Sequence, residues 1–133
     1  MDIITSEILW EILKHAKSWL ANLVRASDKR KEQSVSAVRD VIKASRETAV
    51  YMRTVKELGT RKPETEARLS VLWTELGFAL QDIGIHKLAK RCEIRGKLWA
   101  NPTQFDQDFL DKADVSLESI EGLAHQILAQ IKH

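Results

Sequence analysis

Apolar side chains recur at alternating steps of three and four along four stretches of this chain. Leu9, Leu13, Ala16, Leu20 and Leu23 form the first stretch. Val35, Val38, Ile42, Ser45, Ala49 and Met52 form the second, and Leu69, Leu72, Leu76, Ala79 and Ile83 the third. Leu110, Ala113, Leu117, Ile120, Ala124, Ile127 and Ile131 form the fourth. A repeat near 3.5 residues keeps one side of an α-helix apolar along its length. Four such helices can bury their stripes in one shared core. The pattern predicts an all-α fold, an antiparallel up-down-up-down four-helix bundle, with residues 1–133 as a single helical-bundle domain.

Start and stop signals give the expected boundaries. Thr5 or Ser6 is placed to cap a first helix running to about Arg25, and Ala26-Ser27-Asp28-Lys29 is a polar connector. The second helix runs to Leu58 and meets Gly59. Pro63 opens the third, where its missing N–H costs nothing, and Asn101-Pro102 closes that helix after Trp99. Thr103 is the expected cap of the fourth, which continues almost to His133. Short links between long helices place neighbours antiparallel.

The third stripe fails after Ile83. Its next positions would be His86 and Lys90, whereas the apolar set becomes Ile85, Leu88, Cys92 and Trp99, more than a quarter turn away. Gly84 sits at the switch, so the third helix is expected to kink or break there, a Schellman-type stop being one form. The rotated face of Ile85, Leu88 and Trp99 then needs another surface, the bundle end or a second chain.

Composition narrows the class without naming a function. Hydrophobic residues are 44% and charged residues 30% of 133, which suits a globular chain. The net charge of +2 lacks the large basic excess common in nucleic-acid binders. A single cysteine, Cys92, excludes an intrachain disulfide and suits a reducing cytosol. Asp2 and Glu7 without a basic leader do not match a secretory signal, and no apolar run reaches the ~20 residues of a membrane span.

Local clustering supplies the candidate sites. Arg25, Lys29, Arg30 and Lys31 flank the first link, and Lys87, Lys90, Arg91, Arg95 and Lys97 lie late in the third helix. A four-helix bundle would bring these cations to one end, able to hold an acidic partner or a phosphate backbone. Asp106, Asp108, Asp111 and Asp114 stand ready to neutralise them. Asp82 and His86, with Glu75 and Glu93 near the same helix angle, are the sharpest metal candidate, but no second helix offers a matching pair. Cys92 reads as a buried structural thiol. Trp10, Trp19, Trp73 and Trp99 read as core filling, or as the wall of a ligand pocket formed by Trp19, Trp73 or Trp99. No catalytic, cofactor or metal motif is recognisable.

The residues Glu47-Thr48 and Tyr51, Leu69-Ser70 and Leu72-Trp73, Leu88-Ala89 and Arg91-Cys92, and Gly96, Trp99 and Pro102 together resemble a group of small uncharacterised bacterial helical proteins over about residues 47–102. That resemblance implies a bacterial source and no activity. The expected function is a non-enzymatic, cytoplasmic helical interaction or accessory protein that binds a protein partner or itself, as a homodimer, through apolar surface around Ile85, Leu88 and Trp99. The alternatives are nucleic-acid or anion binding through Arg25, Arg30, Lys31, Lys87, Arg91 and Arg95, and small-molecule binding in a Trp-lined core.

Overall fold

The computed structural model describes residues 28–132, and these are helical with no strand among them. The first stripe, with Trp10, Trp19 and Arg25, lies outside the described residues. Residues expected to form three long helices form five: α1 (Asp28–Leu58), α2 (Pro63–Asp82), α3 (His86–Ala100), α4 (Gln107–Ala113) and α5 (Leu117–Lys132). No helix among the described residues is long and apolar enough to cross a membrane.

α1 begins with Asp28 at its positive end and carries Lys56 in its last turn. It stops where Gly59 takes φ 69° and donates its N–H to the Val55 carbonyl at 2.7 Å. The buried stripe is Ser34, Val38, Val41, Ser45, Thr48 and Tyr51, with Ile42 and Ala44 beside it. The apolar spacing placed Val35, Ala49 and Met52 there instead, yet Val35 is half-buried, Ala49 is exposed and Met52 is 48% exposed. The difference lies in polar side chains that are buried because they are bonded. Trp73 Nε1–H donates to Thr48 Oγ1 at 2.9 Å. Tyr51 donates to Glu66 Oε2 at 2.6 Å and accepts the Lys62 N–H at 2.8 Å. Ser34 and Ser45 donate to carbonyls one turn back in their own helix.

α2 starts at Pro63 and carries Glu64 and Glu66 in its first turn. Its core face is Leu69, Trp73, Leu76 and Leu80, so Trp73, with no exposed surface, displaces Leu72 and Ala79 from the expected stripe. The helix does break at the expected glycine. Gly84 takes φ 83° and donates to the Gln81 carbonyl at 3.1 Å, while Ile85 N–H reaches the Leu80 carbonyl at 2.9 Å. These two bonds are the Schellman motif, and both Ile85 and Leu80 are buried.

The chain therefore reverses, and α3 runs back along α2 instead of extending it. The two helices meet through small residues. A Cβ at Gly96 would fall on Thr74 Oγ1 and lie 3.0 Å from the Thr74 nitrogen and 3.1 Å from the Ser70 carbonyl oxygen. A Cβ at Gly77 would meet Glu93 Cγ and lie 3.1 Å from the Ala89 carbonyl oxygen. Ser70 Oγ crosses the gap to the Gly96 carbonyl at 2.9 Å.

The expected fourth helix is also divided. Thr103 does not cap it, bonding instead to Asn101 Oδ1 at 3.0 Å, and Asp106 accepts the Phe109 N–H at 2.8 Å. α4 ends at Asp114, whose φ of 54° is left-handed, and Ser116 caps the next turn through the Ser119 N–H at 3.1 Å. Ile120, Ala124 and Ile127 of α5 are buried as the stripe requires, whereas Leu110, Ala113, Leu117 and Ile131 are half-buried. α5 packs on α1, with Arg46 Nη2 3.6 Å from Glu121 Oε2.

The glycine contacts yield an ordered pair of outcomes. Gly96→Ala pushes a methyl into backbone and a β-branched side chain, and is expected to cost about 1–3 kcal/mol in a denaturant melt. Gly122 has open space around its Cβ position, so Gly122→Ala is expected to stabilise by up to about 1 kcal/mol. Equal effects at the two sites would contradict the close α2–α3 contact.

Candidate interaction surface

The reversal at Gly84 redistributes the sequence-predicted site residues that follow it. Ile85 is 5% exposed and Leu88 fully buried, both in the main core. Trp99 is half-buried, edge-on to Tyr51 with ring centroids 5.8 Å apart. The apolar face expected to seek a second chain is thus largely covered within its own. The switch of face that prompted the expectation is the mark of a helix folding back on its predecessor.

Among the described residues, Arg95 does not converge with Arg30 and Lys31. Gly96 packs on Ser70 and Thr74, and neighbouring Trp73 bonds Thr48. Arg95 therefore stands level with Thr48, about 25 Å along α1 from Lys31. Arg30 and Lys31 lie in the first turns of α1, and Lys87 in the first turn of α3. Arg91 is 8% exposed, its Nη2 lying 3.7 Å from Asp114 Oδ2. Burial lowers the pKa of Arg91 and of Arg95, opposed by Asp114 for the first and Glu118 for the second. Arg95 sits 5.9 Å from the Trp99 ring centroid. Among the described residues Arg95 Nε, Trp99 Nε1 and Asp114 Oδ2 make no hydrogen bond. Of the four aspartates expected to neutralise the cations, Asp114 pairs with Arg91. Asp106 is a helix cap, and Asp111 accepts from Gln107.

The chemical candidates resolve in the same way. Asp82 ends α2 and His86 begins α3, so the break separates the pair that one continuous helix would have aligned. Among the described residues no three metal-binding side chains gather. Burial pushes the Cys92 thiol up to about 12, with Glu93 adding to the effect and Arg91 opposing it. Trp73 is enclosed in the core with its one donor satisfied.

What the spacing did not single out is the outer side of the α2–α3 hairpin. On α2 the side facing α3 is set by Ser70, Thr74 and Gly77. Next round the helix come Ala67, Val71 and Phe78, within about 40° of each other at 100° per residue. Val71 is 58% and Phe78 56% exposed. Beyond them lie Glu64, Glu75 and Asp82, all exposed. On α3 the side facing α2 is set by Ala89, Glu93 and Gly96, and next round come the exposed His86, Lys90 and Lys97. The opposite arcs of both helices are buried, so these two exposed arcs share one face. It carries an acidic row, an apolar strip and a basic row, side by side. Glu64, Glu75, Asp82, Lys90 and Lys97 enter no ion pair among the described residues. The signal available in the sequence was the pair Val71 and Phe78, seven apart and outside the Leu69–Leu76 stripe.

No family model, curated protein or solved structure matches this chain.

Two titrations check these environments. Arg61 first and Tyr51 second hold the Glu66 carboxyl below its ordinary value of 4.5. The unfolded chain then takes up a proton more readily, so this contribution to stability is present above pH 4.5 and lost as pH falls through the folded-state pKa. Glu66→Gln is expected to lower stability at neutral pH and to flatten the acid side of a melting-temperature profile; an unchanged slope would count against the network. Cys92, neutral in the fold, is expected to resist thiol reagents at mildly alkaline pH until denaturant is added. Rapid labelling of the native protein would contradict its burial.

Proposed function

We propose that this chain is a non-enzymatic helical interaction module that binds a protein partner or a copy of itself. We take its scaffold to be an antiparallel up-down bundle, a reading supported by the pairings Thr48 with Trp73, Ser70 with Gly96 and Arg46 with Glu121. The observation that carries the functional reading is the exposure of Val71 and Phe78 midway along a helix whose other face is well packed. More than half of each side chain adds nothing to the chain's own packing, and a partner surface would cover it. The flanking rows of charge, free of ion pairs among the described residues, supply the polar rim that such surfaces carry.

The test is a photoreactive side chain placed at Phe78 and, as a control on another helix, at Val50, which is 51% exposed on α1. Position 78 is expected to give a discrete covalent adduct in the cell of origin, lost when Val71 is changed to Asp, while position 50 gives none. Absence of any adduct from position 78 would overturn the reading. The adduct's mass identifies the partner as a second copy or as another protein.

A further inference from the structure

We propose that the occupant of this face is a second copy of the same chain, related by a two-fold axis running parallel to the α2–α3 hairpin. The inference rests on the interaction reading above and adds the partner and its orientation.

The argument is the arrangement of charge. An isologous dimer sets a face against its own copy. Rotation about an axis parallel to the hairpin exchanges left and right and leaves height along the helices unchanged. The acidic row of one copy then lies over the basic row of the other, twice, and the apolar strips meet in the middle. Rotation about an axis across the hairpin would set acid over acid and base over base. Only the parallel arrangement is complementary.

Heights along the helices agree with this. Gly77 packs at the level of Ala89 and Glu93, and Gly96 at the level of Ser70 and Thr74. Lys90 is therefore level with Phe78, and Lys97 with Val71. Glu75 falls between these levels, so in the dimer it lies between the heights of Lys90 and Lys97 of the other copy. Asp82 comes level with the turn of α3 just before Lys90. Lys90 gains an opposite charge that it lacks among the described residues of its own chain, and Val71 and Phe78 are covered.

The size of the face sets the strength. Twenty residues of α2 span about 30 Å. With two helices side by side the face buries on the order of 600 Å² per copy, at the low end for stable complexes. The dimer is accordingly weak, concentration-dependent and sensitive to salt.

The experiment is sedimentation equilibrium from micromolar to millimolar concentration at low and high salt, on the wild type and two charge-swap variants, each checked for helicity by circular dichroism. Glu64→Lys, Glu75→Lys and Asp82→Lys together make both outer rows basic, and Lys90→Glu with Lys97→Glu makes both acidic. By symmetry each variant meets like charge at two places, so each is expected to self-associate at least about tenfold more weakly than the wild type. An equimolar mixture is expected to form a heterodimer, since both contacts are then complementary. Phe78→Asp is expected to abolish association in every combination. A wild type that stays monomeric at millimolar concentration, a dimer indifferent to the swaps, or a mixture that fails to associate would each overturn the proposal. A monomeric wild type whose position-78 adduct has the mass of a different protein removes the second copy and leaves the interaction reading standing.

Discussion

The turn at Gly84 is the constraint on which the arrangement of the other helices depends. A left-handed residue there lets two N–H groups bond back to Gln81 and Leu80, and the chain reverses within three residues. A glycine adopts that φ without the steric penalty a Cβ would bring. Reversal would be of little use if the two helices could not approach, and Gly77 and Gly96 permit the approach. Ser70 then closes the gap with a hydrogen bond whose acceptor is the carbonyl of one of those glycines. Three glycines thus act together, one to turn and two to dock.

From that docking follows the division of the hairpin into an inner and an outer side. The inner side buries Trp73, Leu80, Leu88 and Cys92, and draws Arg91 and Arg95 toward Asp114 and Glu118. A buried guanidinium needs a nearby carboxylate, because desolvation otherwise disfavours its charge. Arg91 has one in the residue where α4 ends. The break between α4 and α5 is therefore coupled to the burial of α3, since the left-handed Asp114 that stops α4 is the same residue that faces Arg91. The outer side keeps the residues with no such use.

Much of the local structure was legible in the amino-acid sequence. Gly59, Pro63, Gly84 and Asn101 mark helix ends by their own backbone chemistry, and each does so in the fold. The stripe of α5 at Ile120, Ala124 and Ile127 was equally plain, because nothing polar competes for those positions. The misplacements have one physical origin. A count of apolar residues does not register a threonine that is buried because an indole N–H bonds it, nor a tyrosine held by Glu66 and Lys62. The true stripes of α1 and α2 therefore run through Thr48, Tyr51 and Trp73 rather than Ala49, Met52 and Leu72. The surface was harder to read. Its location depends on which way the chain turns after Gly84. A kink would have exposed Ile85 and Leu88 and gathered the cations at one end. A full stop buries the first two and carries Arg95 away from Lys31.

The short-range nature of the α2–α3 hairpin has a consequence for how the chain reaches its fold. Ser70 and Gly96 are 26 positions apart, whereas Arg46 and Glu121, which join α1 to α5, are separated by almost three times as many. Closing a small loop loses less chain entropy than closing a large one, and contacts between near neighbours form sooner. The hairpin is therefore expected to form before α5 covers α1. In that order the outer strip with Val71 and Phe78 would be displayed while the inner core is still open. An order of assembly in which the surface precedes the interior displays Val71 and Phe78 before the chain's own folding is finished.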